Sequence, residues 1–189
     1  MILAAARPSP HASATGGHVK RVNKQFITAT IAPLLALAGC VTYQPPTAEG
    51  SATLSIRNPS DTMRLYPRTF VDGRTCSGGR MVGMSGLGFG MGPRGDAESK
   101  IDAGKEFTLS LLGQIAYGYP NRTISSCTAF ATFVPQAGQR YVTELASGSG
   151  GCRVEVFVDQ GGSTPLQPEP SLRSRRPAGS GDKGGCLPD

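Results

Sequence analysis

Apolar residues recur at every second position through much of this chain, and past residue 39 no segment has the three-to-four spacing of an amphipathic helix. Phe107, Leu109 and Leu111 share one face of Glu106–Leu112, opposite Thr108 and Ser110, and Ile115–Tyr119 can continue that strand past Gly113. Ser125, Cys127, Ala129, Ala131 and Phe133 share one parity of Ile124–Val134; Tyr141, Thr143 and Leu145 align over Arg140–Ala146, and Val154, Val156 and Val158 over Cys152–Asp159. Earlier, Ala52–Ile56 alternates, and Met63–Val71 sets Leu65, Thr69 and Val71 against Tyr66 and Phe70. Pro67 has no N–H to give to a ladder, so that strand is expected at an edge or with a bulge. Asn58–Asp61, Asp72-Gly73, Asn121 and Ser147–Gly151 read as turns, and Pro135–Gln139 as a hairpin connection. Six or seven strands at this spacing predict an all-β fold, an antiparallel β-sandwich.

Between the early and late strands, residues 76–100 are crowded with glycine, which penalises any regular element through backbone entropy, so a long loop is expected there. Met81, Met84 and Met91 in this stretch are soft thioethers of the kind that suit Cu(I), although no histidine accompanies them. The competing reading is a loop whose side chains cap the core. The same glycines do not make a phosphate cradle, because no Gly-Lys-Ser/Thr follows them. Gly83-Met84-Ser85-Gly86 fails as a nucleophile elbow because Leu87 stands where the last glycine belongs. Past Asp159 the chain is rich in Pro, Gly and Ser and reads as a flexible tail over 160–189. Its basic run Arg173-Ser174-Arg175-Arg176 could touch anionic headgroups or glycans, against the blander expectation of solvation.

The start of the chain carries a different kind of signal. Phe26–Ala38 is an uncharged, mostly apolar run of thirteen residues, about 20 Å as a helix and short of a hydrocarbon core of about 30 Å. Lys20, Arg21 and Lys24 flank it, and small residues close it, which is the order of a secretory signal. A short buried helix ending in a free cysteine is the competing reading, and it explains none of that order. The closing residues Leu37-Ala38-Gly39-Cys40 resemble the lipobox of bacterial lipoproteins. That resemblance implies a type II signal peptide, with Leu37, Ala38 and Gly39 read by the processing enzymes and Cys40 as the acylated first residue of the mature protein. With Val41 rather than Asp after the cysteine, it also implies an outer-membrane anchor facing the periplasm. A basic region preceded by Arg7-Pro8-Ser9-Pro10-His11 is unusual in a signal, so translation is expected to begin at Val22.

Processing before Cys40 leaves 150 of the 189 residues, enough for one domain. The expected divisions are leader and signal over 1–39, an extended Pro-containing tether over 40–51 that keeps the domain off the bilayer, a sandwich over 52–159, and the tail. Four of the nineteen basic residues lie before the cut and all thirteen acids after it, leaving about +2 and removing the case for nucleic-acid binding. His11 and His18 also lie before it, so the mature chain lacks the commonest general base and metal ligand. No catalytic residue and no metal site is proposed from the sequence. Glycine and proline make up 35 of the 150 residues against an average of about 12 per cent, which fits a turn-rich domain with a modest core.

Apart from Cys40 there are four cysteines, Cys76, Cys127, Cys152 and Cys186, an even number suited to an oxidising compartment. Of the three pairings, Cys127 with Cys152 and Cys76 with Cys186 is preferred. In a simple meander Cys127 and Cys152 would flank a middle strand about 10 Å apart, beyond disulfide reach. The pairing therefore predicts that the last strand crosses to the opposing sheet. The succession of a strand after Ala103-Gly104, a cysteine-bearing strand, a connection holding Pro135, Gly138 and Tyr141, and a Cys-x-Val-x-Val strand resembles small periplasmic lipoproteins with immunoglobulin-like or transthyretin-like folds. The functional expectation is a non-enzymatic structural or interaction module held to the membrane by its lipid, with an envelope protein or glycan as partner and no cofactor. The alternative is a periplasmic ligand or Cu(I) binder using the Met81, Met84 and Met91 segment.

Overall fold

The computed structural model describes residues 42–47, 49–83, 90–118, 123–179 and 185–188. Ten strands build two five-stranded sheets: β1 (Ala52–Arg57), β2 (Arg64–Asp72), β3 (Ser77–Met81), β4 (Asp96–Ile101), β5 (Phe107–Tyr117), β6 (Thr123–Phe133), β7 (Arg140–Gly148), β8 (Gly151–Asp159), β9 (Gln167–Pro168) and β10 (Arg173–Arg175). One sheet runs β4-β1-β7-β8-β9 and the other β10-β6-β5-β2-β3. All neighbours are antiparallel except β1 and β7, which run parallel from Thr53↔Arg140 to Arg57↔Glu144.

The sandwich is as expected, with more strands than the six or seven predicted. The extra ones fall where loop and tail were expected. The 76–100 segment contains β3 and β4, and the residues past Asp159 contribute β9 to one sheet and β10 to the other. β3 is Ser-Gly-Gly-Arg-Met, and β9 and β10 are two and three residues long, too short to show alternation; β4 does alternate, with Ala97, Ser99 and Ile101 inward against Asp96, Glu98 and Lys100. They form because a neighbouring strand offers an open edge, a tertiary cause that local pattern does not carry.

The alternating residues of the long strands meet between the sheets. Leu54, Ile56, Leu65, Leu109, Leu111, Phe133, Tyr141 and Val156 are each at most 1 % exposed and belong to one cluster. Gly113 lies on the inward parity of β5, where a Cβ would run into Met63 and come within 2.7 Å of Leu145 Cδ2. That bare backbone lets two large side chains fill the end of the core.

Pro135–Gln139 is not a hairpin. It carries the chain from β6 in one sheet to β7 in the other. β7 and β8 then pair as a true hairpin closed by Gly148↔Gly151. The crossing predicted for the last strand thus occurs one strand earlier. Tyr141 holds it: its ring stacks 5.1 Å from Phe133, and its hydroxyl accepts a hydrogen bond from the Gln136 N–H at 2.9 Å. This is the arrangement of a tyrosine corner.

Pro67 is not on an edge strand, since β2 lies between β5 and β3. Its own position behaves as an edge all the same. β3 ends at Met81 opposite Arg68, Val82 N–H donates to the Pro67 carbonyl, and pairing resumes only where Leu65 and Met91 exchange two hydrogen bonds. No partner needs the missing N–H.

Candidate functional site

Cys40, Leu37, Ala38 and Gly39 lie outside the described residues, so the structure bears on them through their neighbours. Cys76 bonds to Cys186 and Cys127 to Cys152, as the sequence predicts. Cys127 points inward from β6 and Cys152 inward from β8, each in a different sheet, so this bridge staples the sandwich across its interior. The other bridge packs with Phe70 and Phe130 on the outer face of the second sheet. With four of the chain's five cysteines joined to one another, no cysteine of this chain remains for Cys40 to pair with.

The segment following Cys40 is fastened almost at once, contrary to the expected loose tether. Thr42 forms a parallel bridge with Met81 at the end of β3, and Tyr43 N–H donates to the Met81 carbonyl at 2.8 Å. The Tyr43 ring then packs edge-on to Phe107 with centroids 6.2 Å apart. Its hydroxyl is shut from solvent without a hydrogen bond of ordinary geometry. Burial, and secondarily the Asp102 carboxylate, push its ionisation above the usual tyrosine value. Beside it lies a cleft of about 190 Å³ lined in part by Val71, Asp102, Lys105 and Glu106. Glu106 is already engaged, paired with Arg173.

The methionines offered for Cu(I) are divided. Met91 is 7 % exposed within the core cluster, Met81 is half-buried in β3, and Met84 lies outside the described residues. Among the described residues no three His, Cys, Asp or Glu side chains gather closely enough to hold a metal ion. The basic run is not a solvated tail. Arg173 pairs with Glu106, and Arg175, 6 % exposed, donates to the Arg74 and Leu187 carbonyls at 2.7 and 2.9 Å. These contacts and the Cys76–Cys186 bridge bind the C-terminal segment over the β2–β3 turn.

One surface was not anticipated. β5 and β6 stay paired out to Tyr117↔Thr123, whereas β2 leaves β5 at Gln114 and β10 touches β6 only from Phe130 to Thr132. The outer half of this hairpin therefore stands clear as an arm, with no strand alongside either edge among the described residues. Tyr117 is 52 % and Ile124 63 % exposed on it. Unpaired strand edges with apolar side chains are a template for pairing with another chain. Ile124, apolar on the parity opposite Ala129 and Phe133, was the available signal. Family models, curated proteins and solved structures were all compared with the chain, and none matches.

Proposed function

We propose that this chain is an outer-membrane lipoprotein, acylated at Cys40 and facing the periplasm, whose sandwich is a non-enzymatic interaction module. The observation that carries this reading is the cysteine count. Two disulfides consume Cys76, Cys127, Cys152 and Cys186, which suits an oxidising compartment, and they leave over the one cysteine that closes Leu37-Ala38-Gly39-Cys40. Two or three acyl chains on one residue hold a protein to a bilayer far more firmly than the reversible attachment of a single chain. The β5–β6 arm is the surface offered to an envelope partner.

Labelled palmitate fed to bacteria expressing the full chain tests the anchor. Incorporation that disappears in Cys40→Ser, with a size shift under a globomycin-type inhibitor, is the expected result; no incorporation overturns the reading. Crosslinked envelopes test the module: partners captured by the acylated protein are expected to be lost when Tyr117 and Ile124 are both replaced by Ser. Capture that is unchanged removes the arm from the proposal.

A further inference from the structure

We infer that the β2–β3 edge around Met81, carrying Arg68 and Arg80, is the face on which the anchored protein lies against anionic phospholipid headgroups. The inference rests on the proposed acylation of Cys40 and adds what the anchor does to the domain's orientation. Thr42 is only two residues from Cys40, a span of at most about 7 Å even when fully extended. Thr42 is bridged to Met81, one strand spacing of about 4.8 Å away. The headgroup layer on each side of a bilayer is itself only about 6 Å deep, taking half the difference between its full and hydrocarbon thicknesses. An acylated Cys40 has its thioether at that depth, so the end of β3 is held within about 12 Å of the headgroups.

The charge found there fits such a surface. Arg68 is the direct partner of Met81 across the β2–β3 ladder and Arg80 is the partner of the inward-facing Thr69, so the two side chains flank this edge from opposite sides of the sheet. Arg68 is exposed and Arg80 half-buried, and neither has a salt bridge among the described residues. The acids nearby are Asp102, which lines the same cleft as Lys105, Glu106, paired with Arg173, and Asp72, whose carboxylate accepts from Thr75 and keeps its charge. A basic side chain near an anionic leaflet contributes about 1 kcal/mol, falling off within a Debye length. By chain geometry Met81 lies at most about 12 Å from the lipid-bearing residue, little more than one Debye length, and Arg68 lies one strand spacing further.

The test compares arginine accessibility in the membrane and out of it. Full-length protein and Cys40→Ser are expressed in cells fed labelled palmitate, treated with phenylglyoxal in the envelope fraction and the soluble fraction respectively, and mapped by mass spectrometry. The expected result is palmitate on Cys40 and several-fold less modification of Arg68 and Arg80 in the anchored protein. Arg153 on β8, in the other sheet, is expected to react equally in both forms. Purified acylated protein in vesicles of phosphatidylethanolamine and phosphatidylglycerol should reproduce the protection. Acylation with no difference at Arg68 and Arg80 overturns the docking face and leaves the anchor standing. Absence of palmitate removes the anchor and the face with it. Protection in envelopes but not in vesicles shows that a protein covers this edge, and equally overturns the bilayer as its occupant.

Discussion

Asn58 shows how much one polar side chain can organise. It is 3 % exposed, and its amide donates to the Met63 and Gly92 carbonyls, both at 2.8 Å, tying the β1–β2 turn to the stretch that follows the glycine-rich segment. Replacing it with Ala strands the buried Met63 carbonyl and leaves the part-buried Gly92 carbonyl only its bond from Gly95 N–H, and a loss of about 1–3 kcal/mol is expected from urea unfolding. Tyr43 behaves in the opposite sense, because its buried hydroxyl has no hydrogen bond of ordinary geometry to lose, only a weak interaction with the Asp102 backbone. Tyr43→Phe should leave stability at neutral pH unchanged or slightly raised. Its folded-state ionisation is raised, by burial first and Asp102 second, so its contribution is intact below the ordinary value of 10.0 and is lost as pH rises through the folded value. The Phe variant should therefore lose less stability than the parent between pH 10 and higher pH, followed by circular dichroism. Neither role is legible from the sequence: Asn58 reads only as a turn residue and Tyr43 only as part of an extended tether, since both depend on contacts made far along the chain.

Among the elements, legibility follows the strength of alternation. The strands with a full inward stripe, β1, β2 and β5 to β8, were readable to within a few residues, because a stripe buried between two sheets must be apolar. β3, β9 and β10 add ladder hydrogen bonds to existing edges and contribute little to the core, so nothing in them requires a pattern; β4 buries Ile101 and alternates, but inside the glycine-rich stretch. Gly113 belongs to the readable set and still breaks it, since the missing side chain is what the packing needs. Gly113→Ala must displace Met63 and Leu145, and a loss of about 1–3 kcal/mol is expected by denaturant midpoint. The two disulfides should also separate. Cys76 and Cys186 are 110 residues apart and Cys127 and Cys152 are 25 apart, so chain entropy assigns the first about 4–5 kcal/mol and the second about 3. Removing Cys76–Cys186 as a double Ala variant should also open the C-terminal segment to trypsin after the buried Arg175, while the Cys127/Cys152 double variant leaves it covered.

For the whole molecule, the sequence indicated the class of fold and the cysteine pairing, and placed the change of sheets one strand too late. That change lies in Pro135–Gln139, whose glycine and proline look the same whether the connection returns along one sheet or leaves it. The candidate anchor was legible because it is a local motif, and the arm was not, because an overhang is defined by where neighbouring strands stop. The parallel pairing of β1 with β7 sets an order of events during synthesis. Thr53 must wait for Arg140, 87 residues later, before the second side of its strand is closed. Until then Leu54 and Ile56 belong to a half-finished ladder. A truncation ending at Gln139 should aggregate, whereas the full-length chain should stay in solution, as light scattering after dilution from urea would show. A nascent chain of this design emerges with its stickiest ribbon first and its matching groove last, so it depends on something else to shield it in the interval.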